Sequence, residues 1–471
     1  MSGMRGVWTV EQIRGAERQV MAGLPAGTLM ARASRAIAGT ALELLGFGYG
    51  ARVLLLVGAG DNGGDALYAG AELARRGVAV QAVLAGDRVS TAPLAALRAA
   101  GGRVVPLADA RPADLVVDGL VGIGARGPLR EPLLPLVSHA EGHRVLAVDL
   151  PSGVDPDIGA VAGPAVRAEV TVCLGGLKPG LLVGDGRLHA GTIRLIEIGI
   201  TPALPEPGLW QLTGAGVAAP GPSDDKYTRG VVGVAAGSAT YPGAALLCTG
   251  AARLGGVGAV RYAGHAAAEV VREHPEVLVT DTVAEAGRVQ AWTVGPGLGS
   301  ADDALESLAR VLGSDVPVVV DADGLNLLAE HRQLLAGRSA ATVLTPHDRE
   351  YERLFGEVGT DRIGAARRAA AEVGATVLLK GYVTVVAEPD GTGYLNPTGH
   401  PALATAGSGD VLAGLLGSLL ATGLAPGRAA ATAAYLHGRA AARAAADGPV
   451  VAGQLVAALR AELGRGSGLR D

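Results

Sequence analysis

Residues 404–417, ATAGSGDVLAGLLG, place the turn Gly407-Ser408-Gly409-Asp410 directly before an apolar run that is typical of a buried helix. Glycines let the backbone approach an anion closely, and the free N–H groups at a helix start can hold it. Asp410 would repel a phosphate here unless it takes a proton from a hydroxyl group that attacks the phosphate. An aspartate in a first helical turn is also an ordinary favourable cap. The motif alone therefore leaves a catalytic and a structural interpretation open.

Apolar strands alternate with helical segments on the N-terminal side of this motif. Strand candidates are residues 51–60, 78–86, 115–122, 143–153, 169–176, 231–238, 291–299, 316–324, 341–347, 375–381 and 383–389. Such alternation indicates parallel sheets covered on both faces. A capping-box pattern at Thr9 predicts a helix that begins at Val10. The proline- and glycine-rich segment 201–225 interrupts the alternation. We therefore expect an α/β protein with two domains, residues 1–205 and 226–471, joined by a linker at 206–225.

Composition limits the classes of partner and the cellular setting. The chain has 471 residues, 49% of them hydrophobic and 18% charged, which suits a globular protein of more than one domain. The formal net charge is −5 and no basic stripe occurs, so a nucleic-acid partner is not expected. The sequence carries no signal-peptide pattern and no apolar run of about 18 residues. With two cysteines, Cys173 and Cys248, we expect a reduced, cytoplasmic protein without a membrane partner.

A glycine-rich motif follows the first strand candidate. VLLLVGAGDNGGD matches G-x-G-x-x-G at Gly58, Gly60 and Gly63, and Asp87 follows the next strand, where an acidic residue can meet a ribose. A redox Rossmann domain is therefore one hypothesis. The carboxylates within 61–65 would repel a pyrophosphate, however, and oxygen-rich side chains at strand ends suit a cation better.

Polar residues also close the later strands of this half. Asp118 closes the apolar part of LVVDG, and Ser152 lies near the end of the strand candidate 143–153. Asp149 ends an apolar strand, where partial burial would raise its pKa towards that of a general base, although a turn carboxylate is the structural alternative. The glycine-rich segment 122–128 adds Arg126, whose guanidinium suits a phosphate.

Together the segments 61–65, 118–124, 126–128, 149–153 and 176–180 resemble the NAD(P)H-hydrate epimerase domain. That family interconverts the R and S forms of hydrated NADH and NADPH, NADHX and NADPHX. The resemblance implies Asp149 as the acid/base and a potassium ion held by Asn62, Asp118 and Ser152. The residues implied to bind the hydrate are Asp61, Asn62, Gly63, Gly64, Asp65, Gly122, Ile123, Gly124, Ala125, Arg126, Gly127 and Pro128. Ala66 departs from the family, which usually has glycine after the GGD.

The C-terminal half also carries polar residues at its strand ends. Asp321 and His347 each end a strand candidate, and open α/β sheets bind ligands at such ends. Lys380 can neutralise phosphate charge, with a solvated lysine as the alternative. A lone histidine is more often structural, and metal binding through His347 is not expected because no cysteine or second histidine has ligand spacing.

From about Lys226 to Gln454 the chain resembles the ribokinase-like ADP- or ATP-dependent NAD(P)H-hydrate dehydratase. The resemblance rests on YPGAALL, GPGLG, DADGLN, TPH, LLKG and ATAGSGDVLAGLLG. The residues it implies for contact with the hydrate are Ala244, Gly297, His347 and Asp410. Those implied for the adenine nucleotide are Lys380, Gly381, Tyr382, Val383, Thr384 and Gly409. The segment 347–350 departs from the family, which usually has proline, glycine and glutamate after the histidine.

The two resemblances imply a bifunctional cofactor-repair enzyme, with a Rossmann-like three-layer α/β/α domain before a ribokinase-like α/β domain. Asp410 would deprotonate or orient the hydroxyl of the hydrate, which takes a phosphoryl group from ADP or ATP, with magnesium expected alongside the nucleotide. Loss of the phosphate would restore NADH or NADPH. The sequence leaves the choice between ADP and ATP open, although the resemblance to bacterial members favours ADP, and a homo-oligomer is the expected assembly.

Two other classes of function remain open at the level of sequence. A small-molecule kinase of the hydroxymethylpyrimidine or pyridoxal type, fused to a dinucleotide-binding domain, would release a stable phosphorylated product. A non-catalytic nucleotide sensor would be expected to lack the carboxylates, but Asp149 and Asp410 are both present.

Overall fold

A computed structural model describes residues 3–466, with side chains through residue 464. The chain forms two compact units. Residues 6–208 make the N-terminal unit, and the C-terminal unit contains residues from Leu209 onward together with the residues before Gly6. The stretch expected to be a linker contains a strand, Leu209–Leu212, which joins the C-terminal sheet. The predicted domain ends at residues 1 and 471 lie outside the described residues.

The N-terminal unit is built on a parallel sheet. After strand β1 (Met4–Val7), its helices are α1 (Val10–Met21), α2 (Thr28–Leu45), α3 (Asp61–Arg75), α4 (Thr91–Ala99), α5 (Leu134–Ala140) and α6 (Gly184–His189). Its strands are β2 (Arg52–Val57), β3 (Ala79–Leu84), β4 (Arg103–Val104), β5 (Leu115–Gly119), β6 (Val145–Val148), β7 (Val170–Leu174) and β8 (Thr192–Ile196). The strand order is β4-β3-β2-β5-β6-β7-β8, and every pair is parallel.

Both faces of this sheet are covered, because successive strand residues point to opposite sides. Val53 and Leu55 of β2 pack in one apolar cluster with residues of α1, α2 and α3. Leu54 and Leu56 pack in a second cluster with Leu136 of α5. The predicted three-layer α/β/α arrangement is therefore confirmed.

The C-terminal unit contains a larger, mixed sheet. Its strands are β9 (Leu209–Leu212), β10 (Val231–Ala235), β11 (Ala259–Ala263), β12 (Leu278–Thr280), β13 (Ala291–Val294), β14 (Val318–Val320), β15 (Thr342–Leu344), β16 (Thr376–Leu379), β17 (Val385–Ala387) and β18 (Gly393–Leu395). Its helices are α7 (Pro242–Ala252), α8 (Ala267–Glu273), α9 (Asp302–Leu312), α10 (Asp323–Glu330), α11 (Asp348–Phe355), α12 (Arg362–Val373), α13 (Ser408–Ala421), α14 (Pro426–Ala445) and α15 (Ala452–Gly466). The strand order is β1-β9-β18-β17-β16-β15-β14-β13-β10-β11-β12.

Parallel pairing runs through the middle of this sheet, and only β17 among the pairs with a described register is antiparallel to its neighbours. Val232 and Val234 pack with α7, α13 and α14 on one face. Val231 and Ala235 pack with α9 on the other face. The carboxyl ends of β14, β15 and β16 therefore lie side by side at one edge.

Every strand candidate corresponds to a strand, and the capping box that opens α1 is present. The strands not predicted are β1, β4, β8, β9, β11, β12 and β18. Most of these lie at or near a sheet edge, where short or half-exposed strands lack a continuous apolar run. Within residues 3–466 no helix is long and apolar enough to cross a membrane. Cys173 and Cys248 are buried and unbridged.

Residues 61–65, which the resemblance implies for contact with the hydrate, form the first turn of α3, because this helix begins at Asp61. A Cβ atom on Gly63 would lie 2.2 Å from the Gly58 carbonyl oxygen. The glycine therefore lets the helix start directly against the end of β2, and no room is left for a separate loop.

Candidate functional site

Asn62 links three strand ends of the N-terminal sheet. Its buried Nδ2 donates hydrogen bonds to the carbonyl oxygens of Val121, at 3.0 Å, and Val148, at 2.7 Å. The N–H of Val121 in turn donates to Oγ of Ser152, at 3.1 Å. The first turn of α3 is thereby fixed to the carboxyl ends of β5 and β6.

Asp118 is a buried carboxylate held by neutral donors. The hydroxyl of Ser152 donates to Oδ1 at 2.7 Å, and the Ser152 N–H donates to Oδ2 at 2.8 Å. Burial raises the pKa of Asp118, and the hydrogen bonds from Ser152 and Leu120 oppose that rise. No cationic side chain among residues 3–464 pairs with Asp118, so its buried carboxyl group has no protein counter-ion. A small cation at this point would supply one.

Asp149 lies directly after β6 with a φ angle of 68°, a backbone region that non-glycine residues seldom adopt. Its Oδ1 accepts hydrogen bonds from the Leu174 N–H at 3.0 Å and from Nζ of Lys178 at 2.5 Å. Lys178 is fully buried, and it also donates to the carbonyl oxygens of Leu174 and Gly176. Burial opposes the charge on Lys178, but the Asp149 carboxylate raises its pKa above the ordinary value. The two side chains therefore form a buried ion pair.

A second carboxylate close to this pair has a different environment. Asp65 is 7% exposed, and its Oδ1 has no hydrogen-bond partner among the described residues. Burial, together with the charges of Asp149, Asp61 and Glu17, raises the pKa of Asp65 to about 8. Asp65 consequently holds a proton at neutral pH close to the Lys178-paired Asp149, an arrangement that separates a proton donor from an acceptor.

Sequence reasoning quoted the segment 176–180 but did not identify Lys178 as the partner of Asp149, and it missed Glu17. The pKa of Glu17 is raised by burial and by Asp149, which places this residue of α1 near the same cluster. The whole of β7 lies between Asp149 and Lys178 in the chain, and α2 and β2 lie between Glu17 and the glycine motif. Neither proximity follows from spacing, because both depend on how the chain folds back on the sheet.

A cavity of about 630 Å³ opens beside the first turn of α3. Asp61, Asn62 and residues 122–125 line it, together with the arginines Arg14, Arg88 and Arg130. The remaining predicted site residues of this unit do not line the cavity. They are Gly63, Gly64, Asp65, Asp118, Arg126, Gly127, Pro128, Asp149 and Ser152. Arg126, which was expected to face a phosphate, instead pairs with Asp157 at 2.8 Å.

In the C-terminal unit, Lys380 connects the ends of three parallel strands. Its Nζ lies 2.7 Å from Oδ1 of Asp321 and 3.5 Å from Oε2 of Glu350. Burial opposes the charge on Lys380, but these carboxylates raise its pKa above the ordinary value. The same Asp321 oxygen also accepts a hydrogen bond from Thr345, at 2.8 Å. The Lys380 side chain is 18% exposed, so it is not the solvated lysine of the structural alternative.

The Gly407–Asp410 turn faces this pair. Gly407 has a φ angle of 86° and caps α13, which begins at Ser408. A Cβ atom on Gly409 would lie 3.6 Å from Nζ of Lys380 and 3.7 Å from Oδ2 of Asp321. Burial and the charge of Asp321 raise the pKa of Asp410 to about 7, and Lys380 opposes the rise. Asp410 is therefore poised to exchange a proton near neutral pH.

His347 caps α11 in an unusual way. Its Nδ1 accepts hydrogen bonds from the N–H groups of Arg349 and Glu350, and Oε2 of Glu350 accepts one from the His347 N–H. This capping box explains how the segment 347–350 keeps a defined turn without proline and glycine. The His347 side chain remains 50% exposed.

A cavity of about 580 Å³ brings together most of the predicted residues of this unit. Those that line it are His347, Lys380, Gly381, Tyr382, Thr384, Gly409 and Asp410. Val383, Ala244 and Gly297 do not line it. Gly297, with a φ angle of 63°, lies against Ala244, since a Cβ atom on Gly297 would be 2.6 Å from Cβ of Ala244.

His437 of α14 also lines this cavity, and sequence reasoning missed it. The residue is buried, and its Nε2 has no hydrogen-bond partner among the described residues. Burial lowers the pKa of His437 to about 4, so the imidazole is neutral at physiological pH. In sequence it is one polar residue in an alanine-rich helix, which gives no sign of a binding role.

Comparison with known proteins identifies the chain at nearly full length. A bifunctional NAD(P)H-hydrate repair enzyme from Mycobacterium leprae (strain TN) is 50% identical over 477 residues, which cover 98% of this chain and 99% of that protein. An enzyme of the same description from Mycobacterium tuberculosis (strain ATCC 25618 / H37Rv) is 51% identical, covering 91% of this chain and 92% of that protein. The chain belongs to the bifunctional NAD(P)H-hydrate repair enzyme family.

The two halves of this bifunctional repair enzyme match different families. Residues 26–180 match the family described as YjeF-related protein N-terminus, and residues 232–461 match NAD(P)H-hydrate dehydratase. Asp149 lies in the first match and Asp410 in the second. A ribokinase-like superfamily protein from Enterococcus faecalis V583 is similar in structure, with a TM-score of 0.50 at 24% identity, and covers 55% of this chain and 97% of its own. This likeness confirms the predicted ribokinase-like fold of the C-terminal unit.

Within residues 3–464, no three His, Cys, Asp or Glu side chains cluster as ligands for a metal ion. Any cation site in the N-terminal unit would therefore depend on amide, hydroxyl and backbone oxygens in addition to a carboxylate. Asn62, Asp118 and Ser152 offer such a mixed set: Asn62 and Ser152 both bond to the Val121 peptide group, and Asp118 accepts a hydrogen bond from Ser152.

Proposed function

We propose that the N-terminal unit interconverts the R and S forms of NADHX and NADPHX, and that the C-terminal unit dehydrates the S form with an adenine nucleotide. Membership of the repair-enzyme family supports both activities. The observation that supports the dehydratase most directly is that Lys380, Asp410 and the glycine turn line one cavity. A phosphoryl donor and a hydroxyl acceptor can meet there beside a base and a cationic side chain.

Asp410 would take the proton of the hydroxyl on the hydrated ring. That oxygen forms a bond to the terminal phosphorus of the nucleotide, and the bond between this phosphorus and the bridging oxygen breaks. The N–H groups at the start of α13 and the Lys380 ammonium group would stabilise the developing charge. The carbon–oxygen bond of the ester then breaks, phosphate leaves with the electron pair, and loss of a ring proton restores the double bond.

Magnesium is the cation expected with the nucleotide. The residues present suit it, because Asp321 and Asp410 line the cavity and magnesium is usually held by one or two carboxylates and the phosphates. Oδ1 of Asp321 accepts from Lys380 and Thr345, whereas Oδ2 accepts no hydrogen bond from the described residues. When bound, the ion would neutralise charge on the transferred group.

For the epimerase, Asp149 and Asp65 would divide the acid/base work. Epimerisation at a carbon that carries a hydroxyl group requires a proton to be given to the departing oxygen and taken from the entering water. Asp149, held by Lys178, suits the acceptor role, and the protonated Asp65 suits the donor role. Neither carboxyl group lines the adjoining cavity, so the hydrate would have to reach past Asp61 and Asn62.

Asn62, Asp118 and Ser152 would hold potassium beside this cluster. The burial of the Asp118 carboxyl group without a cationic partner among the described residues supports this assignment. We expect epimerisation to be faster in potassium chloride than in sodium chloride at equal ionic strength, and the substitution Asp118→Asn to remove the difference. Equal rates in the two salts for the unaltered protein would contradict the assignment.

We also propose that the protein is a cytoplasmic homo-oligomer without a membrane or nucleic-acid partner. Sedimentation at several protein concentrations tests the proposed assembly.

One experiment separates repair from a simple kinase activity. The full chain is incubated with a mixture of R and S hydrates and with either ADP or ATP, and recovery of NADH absorbance is followed. Repair predicts complete recovery in the presence of a nucleotide and none in its absence. Accumulation of a stable phosphorylated hydrate without NADH would favour the kinase. Asp410→Asn is the matched control, which should abolish recovery and leave R–S exchange intact.

A further inference from the structure

The cavity of the N-terminal unit carries charged residues to which no role has been assigned. Asp87 and Arg88 follow β3, the neighbour of β2 in the sheet, and both line the cavity that Asp61 and Asn62 also line. The Arg88 guanidinium makes no hydrogen bond or ion pair with the described residues. Arg126, by contrast, is occupied by Asp157. Arg88 is therefore a cationic group that is available to a ligand.

The position of Asp87 and Arg88 matters because of the sheet topology. In parallel α/β sheets with a glycine-rich turn after the first strand of the motif, the loop after the next strand reaches the adenosine ribose. An acidic side chain there binds a ribose 2′-hydroxyl group, and an arginine accommodates a 2′-phosphate. This chain has both residue types in succession, and the two substrates of the proposed epimerase differ only at that 2′ position.

A second arginine fits the same orientation of the ligand. A Cβ atom on Gly124 would lie 2.6 Å from Nη2 of Arg14, so the guanidinium lies over the backbone of the glycine-rich segment. Arg14 also lines the cavity. Its guanidinium would offset the carboxylates at the start of α3 towards a pyrophosphate bound beside it, and a ligand held in this way would have its adenosine end directed towards Asp87 and Arg88.

We propose that Asp87 and Arg88 sort the two substrates of the epimerase site. Arg88 binds the 2′-phosphate of NADPHX, and Asp87 accepts a hydrogen bond from the ribose 2′-hydroxyl of NADHX. This inference rests on the proposed epimerase activity and extends it to the choice between the two hydrated cofactors. The site serves both substrates because one side chain recognises each form of the ribose.

The test uses the full chain without nucleotide, so that the dehydratase is idle, and measures R–S exchange of NADHX and of NADPHX by chromatography. Loss of a charge-assisted contact should lower kcat/KM for NADPHX roughly 10- to 100-fold in Arg88→Ala and leave NADHX within about twofold. Asp87→Ala should lower kcat/KM for NADHX roughly 10-fold without a loss for NADPHX. Arg98→Ala, which removes an exposed arginine of α4 outside the cavity, is the matched control and should change neither value.

The dependence of kcat/KM on ionic strength is a second measurement, which would not distinguish the two substrates if Arg88 had only a structural role. Raising ionic strength should reduce kcat/KM for NADPHX more than for NADHX in the unaltered protein, and this difference should vanish in Arg88→Ala. Equal effects of Arg88→Ala on both substrates, or no effect on either, would overturn the inference. The proposed epimerase activity would still stand if the unaltered protein exchanges the R and S forms. Exchange of NADHX alone by the unaltered protein would also overturn it. Exchange of neither substrate would instead overturn the epimerase itself.

Discussion

Each unit places a buried lysine–aspartate pair at the carboxyl ends of its strands. Lys178 lies 2.5 Å from Asp149, and Lys380 lies 2.7 Å from Asp321. Removing one member of such a pair leaves an uncompensated buried charge, which costs about 3–5 kcal/mol. Each pair also contributes to the electrostatic environment of a neighbouring carboxyl group. Asp65 and Asp410 are the neighbours whose pKa values are raised to about 8 and about 7 respectively.

At this scale, Asp149→Ala should leave conversion of the S form running and slow that of the R form to its spontaneous epimerisation rate. The reason is that Asp149 is the proposed proton acceptor of one activity alone. Consumption of the separated R and S forms with a nucleotide present measures this. Thermal unfolding checks that the N-terminal unit of the variant stays folded, because conversion of the S form reports only on the C-terminal unit. Equal rates on both forms would remove Asp149 from the mechanism.

The pH dependence of dehydration should report Asp410. As a base it must be deprotonated, and burial with Asp321 raises its pKa to about 7, so the rate should rise with pH up to about 7 and then level off. Stability should show the opposite trend, because the folded chain keeps this proton while the unfolded chain releases it at a lower pH. Asp410→Asn should therefore raise the melting temperature more at pH 8 than at pH 5. An equal effect at both pH values would contradict the assigned pKa.

At the scale of elements, glycines decide where two site helices begin. α3 starts against the end of β2 because Gly63 has no side chain, and α13 starts after Gly407, whose φ angle is 86°. Both starts aim backbone N–H groups at the region beyond the strand ends. The G-x-G-x-x-G pattern at Gly58, Gly60 and Gly63 marks this junction in the sequence. The close contact between Gly63 and Gly58, which lets residues 61–65 be helical, is a tertiary feature.

Gly63→Ala should destabilise the N-terminal unit by about 1–3 kcal/mol, because its Cβ atom would overlap the Gly58 carbonyl oxygen. Gly15→Ala is the matched control, since Gly15 lies within α1 and a Cβ atom there meets nothing within 4 Å. That control should stabilise the unit by about 0.5–1 kcal/mol. Thermal unfolding of both variants measures the difference. A Gly63→Ala protein as stable as the Gly15→Ala protein would show that α3 can shift without cost.

At the scale of the whole molecule, the two proposed activities belong to units with separate hydrophobic cores. Substitution of Asp149 should therefore leave the dehydratase active, and substitution of Asp410 should leave the epimerase active. An equimolar mixture of Asp149→Ala and Asp410→Asn chains should repair the R form completely, because the hydrate can leave one chain and bind another. Recovery of NADH by the mixture and by each variant alone measures this. Failure of the mixture, with each variant keeping its remaining activity, would mean that the hydrate passes only within one chain.

The sequence by itself determined the two α/β units, their central strands, and the positions of Asp149, Asp410 and Lys380 at strand ends or a helix start. These follow from local information, namely apolar runs, glycine turns and motif spacing. Only the tertiary structure decided that Lys178 pairs with Asp149, that Glu17 and His437 adjoin the sites, and that Arg126 is already paired whereas Arg88 is available. Those contacts join residues far apart in the chain, and burial and charge at such junctions depend on the packing of several elements at once.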